Sequence, residues 1–209
     1  AEIDKFKPEG LDIAYLASRG IIKLRFDRNS VSKIDFDIFI NKIDEIFSDD
    51  ILAYENISVE KALGSLVAKN DIKVSFVESI TGGLLSSLLV KNPGISKYFI
   101  GSDIVYGNQA KSILLNDNDI DFENWEELCV NLTHSSLEKY KTDICLTILG
   151  EAGPLSSSKY SVGTIFICIS NGDKTVITDH KMNGNREEIL QRSANKAQWE
   201  VIKFIKNLY

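Results

Sequence analysis

Two short segments carry the residues that could do covalent chemistry. The first runs from Val74 through Glu78-Ser79-Ile80-Thr81-Gly82-Gly83 into the apolar Leu84 to Val90. An apolar run, small residues and a second apolar run spell a strand, a tight turn with a hydroxyl at its tip, and a helix start. Backbone N–H groups at a helix start can hold an anion or a developing oxyanion. A nucleophile at such a turn therefore sits beside its own oxyanion stabiliser. The second segment, Tyr106-Gly107-Asn108-Gln109-Ala110-Lys111, supplies a phenol, two carboxamides and an amine. Serine needs a base, and a desolvated lysine can serve as one. Ser79 is the candidate nucleophile, Lys111 the candidate general base, and Tyr106 a proton relay or a brace for that base. Each has a plainer reading: a helix-capping serine, a solvated lysine, an aromatic at a strand end. A lysine base must be neutral part of the time, which requires burial or nearby positive charge. The two histidines, His134 and His180, fall in a helix and a hairpin strand, so a Ser-His-Asp triad has little support.

Further residues could bind a substrate. Thr81, Gly82 and Gly83 permit close approach to backbone, and Asn108 and Gln109 can read a carboxamide. Gly150, Ala152 and Gly153 lie in Gly150-Glu151-Ala152-Gly153-Pro154, after a strand. Open α/β sheets place their ligand crevice at such strand ends. Gly163 and Thr164 begin another strand facing the same edge. Arg186 opens the last helix, where a guanidinium beside helix N–H groups clamps phosphate. The plainer readings are a turn without a ligand and a surface arginine.

These segments need a scaffold. Residues 1–9 form a polar lead-in. Leu11 to Leu16 and Ile21 to Phe26 are β-rich runs around Ala17-Ser18-Arg19-Gly20, a hairpin signal. Ser32 then caps a helix with Ile34, Phe36, Phe39, Ile40, Ile43 and Phe47 at helical spacing. This ββα unit spans residues 1–52 and is too small to bury much core alone. It is expected to pack on the rest of the chain or on a domain outside this sequence. After a linker, residues 57–209 form the second domain. Ser58 caps a helix there, and Asn70-Asp71 breaks it. Asn92-Pro93-Gly94 stops the Leu84 helix, Ser96 to Tyr106 is a strand, and Asn108 to Leu115 a short helix. Glu123 to Tyr140 is an amphipathic helix and Asp143 to Leu149 a strand. Val162 to Ser170 and Lys174 to Lys181 form a hairpin, and Asn185 with Glu188 makes a capping box for the last helix. Early alternation of helices and strands with a closing hairpin gives an α/β fold: a three-layer α/β/α domain with a mixed sheet, plus the small N-terminal ββα module.

Composition narrows the function. With 44% hydrophobic and 26% charged residues among 209, this is ordinary globular material. A net charge of −6 and a pI near 5.1 argue against a nucleic-acid-binding surface. No long apolar run suggests a membrane span. Cys129, Cys145 and Cys168 are far apart, which suits buried thiols in a reducing cytoplasm and neither a disulfide framework nor a metal site. The first residue is Ala, and Met182 is the one methionine, so the chain is expected to be part of something longer.

The motifs also carry a resemblance. Glu78-Ser79-Ile80-Thr81-Gly82-Gly83, Tyr106 to Lys111, Gly150 to Pro154, Val162-Gly163-Thr164 and Gly184-Asn185-Arg186 occur in one order. From about Ser58 onward this resembles the C-terminal domain of the CinA (competence/damage-inducible) family, also found alone as a nicotinamide-nucleotide amidase. The resemblance implies hydrolysis of the carboxamide of nicotinamide mononucleotide by a Ser79/Lys111 pair, without metal or other cofactor. It implies a small-molecule nucleotide as partner and a homo-oligomer. It also places a small KH-like module before the amidase domain. RNA-binding KH modules need a G-x-x-G loop, and residues 1–52 have none, so nucleic acid is not an expected partner. Where the family has Cys, Ser, Glu and Asp, this chain has Ile80, Gly107, Gln109 and Asn185, and Leu155 to Ser161 replaces a glycine-rich loop. An alternative is a domain that kept the fold and lost turnover, binding nucleotides or partners, or an amidase for another carboxamide.

Overall fold

The switch between helical and strand periodicity along the chain sets its architecture. The computed structural model describes residues 2–208 and divides between Ile57 and Ser58 into two compact units. In the first, β1 (Asp12–Ser18) and β2 (Ile21–Asp27) form an antiparallel hairpin. Its turn is Arg19-Gly20, with φ of 51° and 83°, the paired positive φ that matches strand twist. The turn is shorter than the sequence suggested because the ladder runs out to Ser18 and Ile21. Helix α1 (Lys33–Phe47) is capped by Ser32, whose Oγ accepts from the Asp35 N–H at 3.1 Å.

The polar lead-in contributes to the interior. Ile3 and Leu11 are buried, and the ring of Phe6 packs on Phe39, which also meets Phe26 and Phe36. The interior of this unit is small, with Ile3, Leu11, Val31, Phe39 and Ile43 buried among the described residues. Four phenylalanines with Leu11, Val31 and Ile43 give it a core of its own.

The second unit holds a five-stranded mixed sheet in the order β4 (Phe99–Ile104), β3 (Val74–Glu78), β5 (Ile144–Gly150), β6 (Thr164–Ser170), β7 (Thr175–Lys181). The first three strands are parallel, and β6 and β7 are antiparallel additions. β3 is buried throughout and β5 almost throughout, as befits central strands covered on both faces. Strand alternation divides their side chains. Val77, Cys145, Leu149, Phe166 and Cys168 pack with Trp125, Leu128, Cys129 and Leu132 of α5 (Trp125–Tyr140). On the other face, α6 (Arg186–Lys206) packs on β5 and β6 and against α2 (Val59–Lys69) and α3 (Leu84–Leu89), while α4 (Asn108–Leu115) packs on α5. The result is an α/β fold with helices on both sides of a mixed sheet.

Local differences have local causes. The strand expected from Ser96 starts at Phe99, because Gly94 (φ 79°) leads into a 3-10 turn at Ile95–Lys97. Ser58 stands at the N-cap of α2, but its side chain accepts no capping bond. Asn185 and Glu188 do form the reciprocal capping box of α6. Cys129, Cys145 and Cys168 are buried free thiols, and desolvation pushes the Cys145 thiol up to about 12. Among the described residues, no helix is long and apolar enough to cross a membrane.

Candidate active site

Backbone hydrogen bonds bring the ends of the three parallel strands together. The Val105 N–H donates to the Glu78 carbonyl at 2.8 Å, and the Ser79 N–H donates to the Ile148 carbonyl at 3.0 Å. The Ser79 turn therefore lies between the end of β4, which continues to Tyr106, and the end of β5, which continues to Gly150 and Pro154. Glu78, the last residue of β3, turns toward α3, and Ser79 follows it in the turn. Ser79 is 8% exposed and Thr81 5% exposed, so the hydroxyls are nearly enclosed.

The start of α3 is not open to a substrate anion. The fully buried Glu78 carboxylate occupies it. Oε2 accepts from Thr81 Oγ1 at 2.7 Å and from the Gly83 and Leu85 N–H groups at 3.0 Å. Oε1 accepts from the Ser86 N–H at 2.9 Å and from the Ser86 hydroxyl. The Gly82 N–H donates to the Ser79 carbonyl at 3.1 Å. Gly82 and Gly83 thus have no N–H to spare for an oxyanion, which corrects the expectation that the N–H groups at the helix start stabilise one. Among the described residues, the N–H groups of Ile80 and Thr81 donate to no acceptor. Gly82 (φ 57°) keeps open space where a side chain would stand, which suits close approach.

Lys111 is the buried residue of α4. It lies three and four positions before Leu114 and Leu115, which pack into the α5 core. That spacing puts its stem on the inward face of the helix. Nζ donates to Asn108 Oδ1 at 3.2 Å, and among the described residues it forms no ion pair. Desolvation lowers its pKa from the ordinary lysine value. Asn108 thus contacts the amine, while Gln109 is exposed. Tyr106 is also exposed, and its hydroxyl accepts from Arg186 Nη2 at 2.6 Å. Arg186 Nη1 donates to the Gly153 carbonyl at 2.5 Å, so one guanidinium ties together the ends of β4 and β5 and the start of α6. The two acidic residues of the first turn of α6, Glu187 and Glu188, disfavour a second anion there.

The glycines after β5 serve packing as well as approach. A Cβ on Gly150 would meet Ile80 Cδ1 at 2.7 Å and Ile165 Cγ2 at 2.8 Å, so Ile80 fills the space above it. Ala152 is buried. Gly163 has φ of 89°, and a Cβ there would overlap the Met182 carbonyl. Its N–H donates to the Glu151 carbonyl at 2.6 Å, and Thr164 accepts the Glu151 N–H at 3.0 Å. The segment from Leu155 to Ser161 is anchored: Ser157 donates through N–H and Oγ to Glu151 Oε2 at 2.9 and 3.0 Å. The ring of Tyr160 lies 4.2 Å from that of Trp125.

Sequence reasoning missed Glu78 and Glu151, the two buried acids of this edge. A signal existed for the first, since an acid directly before a turn and a helix is placed to cap it. His134 and His180 bond Thr175 and Thr178, and neither meets Ser79. No cluster of His, Cys, Asp or Glu among the described residues could hold a metal.

Comparisons with known proteins identify the family and the fold. Residues 56–205 match the family model described as the CinA C-terminal domain. A CinA-like protein of Petrotoga mobilis is 30% identical over 193 residues, covering 90% of this chain and 46% of its own length. Another from Flavobacterium psychrophilum is 27% identical over 212 residues, covering 97% of this chain and 51% of its own length. The chain thus spans about half the length of these curated relatives, and the matches reach into the first unit. The crystal structure of a CinA superfamily protein from Klebsiella pneumoniae shares the fold, with a TM-score of 0.68, 16% identity, and coverage of 71% of this chain and 96% of that one. Arising from a match that spans most of the second unit, the conclusion is that this chain belongs to the CinA C-terminal domain family.

Proposed function

We propose that the second unit is an amidohydrolase that converts nicotinamide mononucleotide and water to nicotinate mononucleotide and ammonia. Ser79 Oγ attacks the carboxamide carbon, and neutral Lys111 takes the hydroxyl proton. The tetrahedral oxyanion accepts hydrogen bonds from the Ile80 and Thr81 N–H groups. As the C–N bond breaks, Lys111 returns the proton to the leaving nitrogen, releasing ammonia and leaving an ester on Ser79. Water, deprotonated by Lys111, then attacks the ester, and the proton goes back to Ser79 Oγ. No step requires a metal ion. Tyr106, held by Arg186, borders the site as a brace or proton relay. Asn108 orients the amine, while Arg186, bonded to Tyr106 and Gly153, holds the edge of the site and is not assigned the substrate phosphate.

The observation that carries this reading is Lys111, a buried amine with no ion pair among the described residues and with its pKa lowered by desolvation. Structural lysines seldom sit this way, whereas a general base must. Replacing Ser79 by Ala is expected to abolish ammonia release while leaving the fold intact. An active Ser79→Ala variant would sink the mechanism.

The tethered segment from Leu155 to Ser161 favours one alternative. Its anchoring to Glu151 and Trp125 narrows what the edge of the site can admit. On that reading the domain binds the nucleotide without turnover, or hydrolyses another carboxamide. Nucleotide binding by calorimetry without ammonia release would support it.

A further inference from the structure

We infer that Glu78 is a positioning residue for the nucleophile, fixing the Ser79 turn so that the oxyanion meets the Ile80 and Thr81 N–H groups and no others; this rests on the amidase reading above. Glu78 is adjacent to Ser79, is fully buried, and forms no ion pair among the described residues. Its two oxygens accept three backbone N–H groups, from Gly83, Leu85 and Ser86, and the hydroxyls of Thr81 and Ser86. Ser102 Oγ adds a long contact at 3.5 Å. All partners are donors, so the carboxylate has no capacity left to act on substrate, and its effect must pass through the turn.

The consequence is a sorting of donors. A helix start offers several free N–H groups, any of which could draw an anion. Glu78 consumes those of Gly83, Leu85 and Ser86, and the Leu84 N–H is spent on the Thr81 carbonyl. The Gly82 N–H is spent on the Ser79 carbonyl. What remains is the pair directly after the nucleophile, the first of which, on Ile80, occupies the position that supplies an oxyanion donor at other strand-turn-helix nucleophiles. Fixed donors of this kind stabilise a transition state without reorganising when charge develops. Glutamine has the same shape, but its NH2 would face N–H groups that need an acceptor. The turn must then rearrange.

The test compares ammonia release from nicotinamide mononucleotide by wild type, Glu78→Gln, Thr81→Val and Ser102→Ala, with folding checked by circular dichroism. Glu78→Gln is expected to lose about 10²-fold or more in kcat, with KM within about threefold. Thr81→Val, which removes one hydroxyl donor, should lose roughly tenfold in kcat and keeps the question answerable if Glu78→Gln does not fold. Ser102→Ala loses only the weak 3.5 Å contact and should match wild type. A folded Glu78→Gln with wild-type kcat, or a loss confined to KM, overturns the proposal. Should wild type release no ammonia, the amidase reading fails by itself. The rate at which a fluorophosphonate probe acylates Ser79, read by mass spectrometry, then decides the role of Glu78. Slower labelling in Glu78→Gln supports positioning. Equal labelling, or a wild-type Ser79 inert to the probe, overturns it.

Discussion

On the proposed mechanism, Lys111 pulls stability and activity in opposite directions. A buried charge without a partner costs folding free energy. Lys111→Met keeps the stem that lies beside Leu114 and Leu115 and removes the charge. It is expected to stabilise the protein by on the order of 1 kcal/mol, seen as a higher Tm, while ammonia release falls by about 10²–10⁴-fold. The pH dependence has a definite sign. Desolvation lowers the folded pKa below the ordinary 10.5, so the folded state binds fewer protons than the unfolded state between those two values. Stability conferred at this position therefore rises with pH through that window, and the penalty is full below it. The advantage of Lys111→Met should be largest at neutral pH and fade toward the ordinary lysine pKa. In kinetics, kcat/KM should rise as pH passes the folded pKa of Lys111. Lys111→Arg, permanently charged, should lose both the activity and that rising limb.

At the scale of elements, backbone geometry holds the edge of the sheet together. Gly163 sits at φ 89° with the Met182 carbonyl where a side chain would go. Gly163→Ala is expected to destabilise by roughly 2 kcal/mol or more, measured by urea unfolding, and to loosen the Glu151 segment bonded to it. Asn185→Ala removes the cap of α6 and should cost about 1 kcal/mol with a smaller effect on catalysis. Much of this was legible in the sequence. The Ser79 turn, the Asn171-Gly172-Asp173 hairpin and the α6 capping box are local patterns, and local patterns have local causes. What was hidden depends on distant contacts. The burial of Lys111 needs α4 to dock on α5. The Arg186 contact with Tyr106 joins residues 80 positions apart. Glu78 reaches over the turn to the N–H groups of Gly83, at the N-cap, and of Leu85 and Ser86 in α3, a cap that the usual four-residue signature does not describe. Gly150 suggested a crevice, yet Ile80 fills the space above it.

At the scale of the molecule, the chain is two units of different character. The first has a small core around Phe39, with Phe6, Phe26 and Phe36 partly buried against it. The second matches the length of solved relatives that are covered almost completely by 71% of this chain. Residues 58–209 alone should therefore fold cooperatively and keep undiminished ammonia release. A loss of folding or of activity on excision would contradict this. The central claim concerns a Ser/Lys pair at the joined ends of three parallel strands. It is tested most directly by ammonia release from nicotinamide mononucleotide without added metal, comparing wild type with Lys111→Arg. Release by wild type and its loss in a folded Lys111→Arg is the expected result. A silent, folded wild type, or a Lys111→Arg variant as active as wild type, would contradict the account.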